Sequence, residues 1–246
     1  MDNTVPELVG RAVRFGGMPT VSLRTSLATL RREYGRPAPP VSGDPFELIV
    51  WEQVAYLVPD SQRRMVYETW RAGVGLNPAA IMRASAATLT RIARLGGAIA
   101  APLRAQRLRQ SAEHVLQRWG GRLADALDLP FPMARRALTA FAMIGEPSAD
   151  RILLFTRTAR VLALDSNALR VLSRLGLITT ARSYRTTYRD AQARLATALP
   201  KPHDALIAAS QLLRLHGQRL CKAGAPRCAR CPLRRTCPTA GAAVSG

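Results

Sequence analysis

Lysine is nearly missing from this 246-residue chain: only Lys201 and Lys222 occur, and every other basic side chain is arginine. Guanidinium stays protonated, so an amine nucleophile could come only from those two side chains or the α-amino group. Acidic residues are also scarce, 16 against 36 basic, for a formal charge of +20. Part of that excess follows from an arginine- and alanine-rich composition; the rest predicts a polyanionic partner, nucleic acid first, bound with strong salt dependence. A basic amphipathic helix with an aromatic apolar face is missing, and no apolar run is long enough to span a bilayer, so no membrane partner is expected. The opening Met1-Asp2-Asn3-Thr4-Val5-Pro6 has no basic stretch followed by an apolar run. A cytoplasmic protein is expected, nucleoid-associated if the source is bacterial.

Cysteine is absent until residue 221 and then appears four times, at Cys221, Cys228, Cys231 and Cys237, as C-x6-C-x2-C-x5-C. Four thiols this close can converge on one metal centre, whereas paired disulfides need an oxidising compartment. Zinc sites usually split into two short pairs, and only one is present. The spacing therefore fits a tetrathiolate [4Fe-4S] cluster better, with zinc as the alternative. An all-cysteine site leaves no open coordination position, so its expected role is to hold shape.

Strand-like alternation is scarce, and the expected fold class is all-α. Leu23, Leu27 and Leu30 recur at helical spacing after Thr20 and Ser22, predicting a helix to about Tyr34. The stretch from Gly35 through Pro37, Pro39 and Pro40 to Gly43 reads as a linker, and Asp44-Pro45 as a cap and first-turn proline. Further helices are predicted over 46–57, 60–72, 78–82, 86–95, 103–119, 133–141, 148–154, 168–175, 186–198 and 203–216.

Between two of these helices lies Phe141-Ala142-Met143-Ile144-Gly145, a turn of the kind that aims backbone N–H groups and a helix N-terminus at one phosphate, with Gly145 and Ser148 as contacts. Alone it is weak, since helical hairpins commonly turn on a glycine. In order, however, the chain carries Pro45-Phe46-Glu47-Leu48, this hairpin, Leu164-Asp165-Ser166-Asn167, Leu215-His216-Gly217 and the cysteine cluster. That order resembles the endonuclease III-like helix-hairpin-helix DNA glycosylase superfamily. The resemblance implies three segments: residues 1–43, a tail, helix and linker packing on an iron–sulfur domain; 44–158, a six-helix barrel with the hairpin; and 159–246, a helical domain with the cluster loop. It implies a DNA-binding cleft between two helical domains, and a monomer acting on double-stranded DNA that holds a damaged or mispaired base.

Set against that family, Pro147 stands where lyase-competent members carry the attacking lysine, and proline has no amine. Asp165 matches the essential aspartate, which can stabilise an oxocarbenium-like sugar and orient water; by spacing alone it is a helix N-cap. Glu52 falls where mismatch glycosylases carry a catalytic glutamate, so two carboxylates would serve one reaction, one as acid and one ionised; its bland reading is a solvated helix residue. Tyr56 and Leu57 replace the usual glutamine-containing block and are candidates for stacking and for an apolar wedge, or else core. Arg214, Arg219, Arg227, Arg230, Arg234, Arg235 and Lys222 form a basic cluster suited to phosphates or to offsetting a thiolate-ligated centre. The expected activity is monofunctional excision of a base from DNA. A non-catalytic DNA-binding repair factor and a bifunctional glycosylase/lyase remain alternatives, and the absence of a further C-terminal domain after Cys237 argues against an adenine-mismatch specificity.

Overall fold

The computed structural model describes residues 21–242; the tail before Val21, part of the expected 1–43 segment, lies outside the described residues. Helix α1, Leu23–Tyr34, starts at Ser22, whose hydroxyl accepts from the Thr25 N–H while Thr25 returns the bond to the Ser22 backbone. Such reciprocal capping satisfies two donors that a helix start otherwise leaves open. Contacts between α-carbons divide the chain into two compact units, Pro39–Arg160 and the described residues up to Ala38 together with those from Val161 on. Among the described residues there is no strand, and no helix is long and apolar enough to cross a membrane.

The 39–160 unit comprises α2 (Pro45–Gln53), α3 (Asp60–Gly73), α4 (Pro78–Arg83), α5 (Ala86–Leu95), α6 (Ala101–Trp119), α7 (Phe131–Thr139) and α8 (Glu146–Phe155). Asp44 caps α2 through the Glu47 N–H, and Pro45 occupies a first-turn position where no donor is missed. Residues 78–95 form two helices because Ala84 turns to extended backbone and Ser85 caps the second. Every helix gives its apolar stripe to one core, in which Ile49, Tyr67, Trp70, Leu108, Leu138 and Ile152 are essentially inaccessible to solvent.

Helix α2 stops at Gln53, four residues short of the reach that its apolar spacing predicts. Arg63 of α3 supplies the reason: its Nη1 donates to the carbonyls of Trp51 at 2.8 Å and Glu52 at 3.3 Å, satisfying acceptors that another turn would have used. Gly96 reinforces the stop, since a β-carbon there would sit 2.1 Å from the Val54 carbonyl oxygen. Tyr56 and Leu57 consequently lie in a loop.

The second unit holds α1 with α9 (Ser166–Arg174), α10 (Tyr184–Leu195), α11 (His203–Arg219) and the short α12 (Pro238–Ala242). Residues 196–198 continue α10 as a 3-10 turn, and Cys228–Arg230 form another. Its core gathers Leu30, Leu164, Leu172, Tyr188, Leu206 and Leu213, all buried.

Candidate functional site

Within the 39–160 unit, the hairpin is α7, the turn 140–145 and α8. Met143 adopts φ 66°, the left-handed region that favours glycine. Gly145 is the N-cap of α8, exposed, and has extended backbone. A β-carbon at Gly145 would meet nothing closer than Pro147 Cδ at 3.7 Å. The fold itself therefore tolerates alanine at position 145, and only something approaching from outside would require glycine. Pro147 sits in the first turn of α8, where its missing N–H costs no helical bond. Arg135 of α7 reaches across to the fully buried Asp150 of α8 at 2.6 Å and ties the two helices together.

Glu52 stands in the last turn of α2 and faces α8. Its Oε1 lies 2.7 Å from Arg151 Nη1, and its Oε2 accepts from the Ser148 hydroxyl at 3.1 Å. The Glu52 side chain is 15% exposed, so solvent screens this ion pair only partly. Glu52 is thus neither a solvated surface residue nor an unengaged carboxylate, and Ser148 spends its hydroxyl on it. The neighbouring Gln53 is buried; its amide donates to the Ala142 carbonyl at 2.8 Å and exchanges bonds with Ser111 of α6. Adjacent residues of α2 therefore brace both the hairpin turn and the helix after it. Arg151 escaped the sequence reading, although its separation of three from Ser148 puts the two side chains on one helical face.

The loop after α2 presents Leu57 outward, 77% exposed, with φ 54°. Tyr56 is exposed too, and its N–H donates to the Gly96 carbonyl at 3.1 Å. Behind the loop, the guanidinium of the buried Arg104 donates to the carbonyls of Ile99, Ala93 and Gly97. Burial lowers the affinity of Arg104 for its proton, and three carbonyl oxygens offset that desolvation. One buried cation fixes the turn on which the Tyr56-Leu57 loop rests.

In the second unit, Asp165 is the N-cap of α9. Its Oδ1 accepts from the Ala168 N–H at 2.9 Å, and its Oδ2 receives the Asn167 amide at 3.2 Å and Arg214 Nη1 at 2.5 Å. A carboxylate at this place also meets the positive end of the helix dipole. Gly217 of α11 makes the close approach possible: a β-carbon there would fall 2.7 Å from Asn167 Cβ and 2.8 Å from its carbonyl oxygen. Arg214, which the sequence grouped with phosphate-binding arginines, is spent on Asp165, and Arg219 lies over the Tyr34 ring. Arg227, Arg230, Arg234, Arg235 and Lys222 are exposed.

All four cysteines are free thiols and line one cavity with about 390 Å³ of empty space, open solvent included. Among the described residues, no three His, Cys, Asp or Glu side chains are grouped as a site for a single metal ion. Burial, aided by the other three sulfurs, pushes the Cys231 thiol up to about 11, and burial raises Cys237. Added positive charge would draw the protons off these two thiols, as it does in a metal-ligating set. Helix α9 grips the cysteine loop. Arg170 Nε donates to the Cys221 carbonyl at 2.7 Å, while Arg174 donates to the carbonyls of Lys222 and Ala223 and to Cys221 Sγ at 3.4 Å. Arg170 also donates to Asn167 Oδ1 and the Gly217 carbonyl, so the helix that begins at Asp165 is pinned to the cysteine loop along its length. These arginines stand four apart on α9, a spacing readable in the sequence once a partner loop is suspected.

The helical fold of this chain is that of solved endonuclease III-like helix-hairpin-helix structures. Against solved structures, a trapped endonuclease III–DNA covalent intermediate superposes with a TM-score of 0.72 at 17% identity, over 92% of this chain and 100% of that one. A thermostable thymine-DNA glycosylase gives 0.70 at 15% identity, over 89% and 97%. In sequence, an endonuclease III of Sulfolobus acidocaldarius is 31% identical over 103 residues, 42% of this chain, and the match spans 44% of that relative's length. No family model matches the chain.

Proposed function

We propose that this protein is a DNA glycosylase of base excision repair that hydrolyses the N-glycosidic bond of a damaged or mispaired base without a Schiff-base step. The observation that carries this reading is Asp165, capping α9 and held by Ala168, Asn167 and Arg214, the residue that the sequence resemblance matches to the family's aspartate. Asp165 stabilises the cationic sugar as the glycosidic bond breaks and accepts the proton of the water whose oxygen bonds to C1′. Glu52 protonates the leaving base after taking a proton from solvent. Because it rests on Arg151, that step requires Arg151 to swing away when a base enters. Pro147 offers no amine, and both lysines lie outside the 39–160 unit that carries the hairpin.

Double-stranded DNA is the proposed partner, bound by a monomer through Gly145 at the hairpin and Arg227, Arg230, Arg234 and Arg235 of the cysteine loop, with Leu57 as wedge and Tyr56 as stacking platform. The four cysteines would hold a [4Fe-4S] cluster, whose contribution is to fix that loop; purified protein containing zinc without iron or sulfide would assign zinc instead.

The test is incubation with duplexes carrying different lesions, read with and without alkali. Alkali-dependent cleavage is expected. Nicking without alkali, with borohydride trapping, would establish a lyase, and inertness on every lesion would establish a binding factor. Asp165→Asn is expected to slow base release by about 10²-fold or more, and Glu52→Gln by a comparable factor. Full activity in either variant removes that residue from the mechanism.

A further inference from the structure

The cysteine cavity has a histidine that excision does not use. His216 of α11 is 2% exposed; its Nε2 lies 3.5 Å from Cys231 Sγ, and its Nδ1 lies 2.9 Å from the Tyr34 hydroxyl at the end of α1. We infer that His216 is a positioned hydrogen-bond donor to the Cys231 thiolate, its tautomer fixed by Tyr34, and that this contact sets the reduction potential of an iron–sulfur centre held by the four cysteines. The inference rests on the cluster reading above.

The imidazole is buried with Nε2 against a sulfur and Nδ1 against a hydroxyl, and a neutral ring carries its single N–H on one of the two. A metal-bound thiolate has no proton to give and accepts only, so the N–H must be on Nε2. Nδ1 then accepts, and the Tyr34 hydroxyl is the donor that matches it. The opposite tautomer would set an Nε2 lone pair against the sulfur and an N–H against the phenol, which would have to turn its own proton elsewhere. Tyr34 also packs on the imidazole, ring centroids 6.0 Å apart, and phenylalanine would fill the same volume. What the hydroxyl adds is the choice of tautomer. An N–H dipole aimed at sulfur stabilises the more negatively charged, reduced form and so raises the potential. Arg174 also donates to Cys221 Sγ, but it holds two loop carbonyls as well, so its removal would unmake the loop rather than isolate the effect.

The experiment uses the full chain as purified, with iron and sulfide measured first and midpoint potentials then read by protein-film voltammetry. His216→Phe is expected to shift the potential negative. His216→Gln, whose amide can still donate, should recover most of that shift. Tyr34→Phe should move it the same way by less. If His216→Phe fails to load, Tyr34→Phe alone decides, since it keeps the ring and its packing. Potentials unchanged from wild type in cluster-replete variants would overturn the inference. Wild-type protein without iron and sulfide would instead sink the cluster reading, and the inference with it, an outcome that metal analysis separates from the first.

Discussion

Several individual positions carry more than their residue type suggests. Met143 holds a left-handed backbone that costs an L-residue roughly 1–2 kcal/mol, while glycine would lose about 0.5–1 kcal/mol of chain entropy there. Met143→Gly is therefore expected to stabilise the protein by about 0.5–1 kcal/mol, read as a rise of a few degrees in thermal midpoint. A fall would mean that the exposed methionine packs better than its 38% accessibility indicates. At this scale the sequence disclosed the groups with rare chemistry: four cysteines, one aspartate before a helix, one proline where an amine would be needed. It could not disclose their partners. Arg151 and Arg214 are two among so many arginines that nothing local marks them, and pairing over 99 and 49 positions is decided by packing.

Helices were legible because apolar residues recur at three and four with Ser, Asp or Pro at the starts, and the boundaries of α1 and α5 agree with that spacing. The end of α2 was not. Its stop comes from Arg63, ten residues on, and from the space that Gly96 leaves open. Pairing of elements was equally hidden, as Gly217 illustrates. Gly217→Ala must push α11 off the start of α9, at a cost of about 1–3 kcal/mol. Base release should fall further than the lost stability explains, because Arg214 and Asp165 ride on the two helices being separated. Chemical denaturation and single-turnover excision on the same variant check both halves. Excision at the wild-type rate would show that α9 tolerates the displacement.

Across the whole chain, charge is the dominant property. With +20 formal charges, affinity for undamaged duplex should fall steeply with salt, by a slope of about 0.9 per neutralised phosphate on logarithmic axes. Replacing Arg227, Arg230, Arg234 and Arg235 by alanine is expected to flatten that slope by about 3.6 if each holds one phosphate. An unchanged slope in a salt titration would place the DNA elsewhere. Composition made the proposed polyanion preference legible; which arginines remain available was not, since Arg104, Arg170, Arg174 and Arg214 are committed to carbonyls or a carboxylate. Leu57 stands apart from all of these constraints. It is 77% exposed and its backbone is left-handed. Side-chain changes at position 57 that keep the same backbone preference, such as Leu57→Met or Leu57→Gln, should therefore leave folding nearly unchanged, and would report on the proposed contact with DNA rather than on stability.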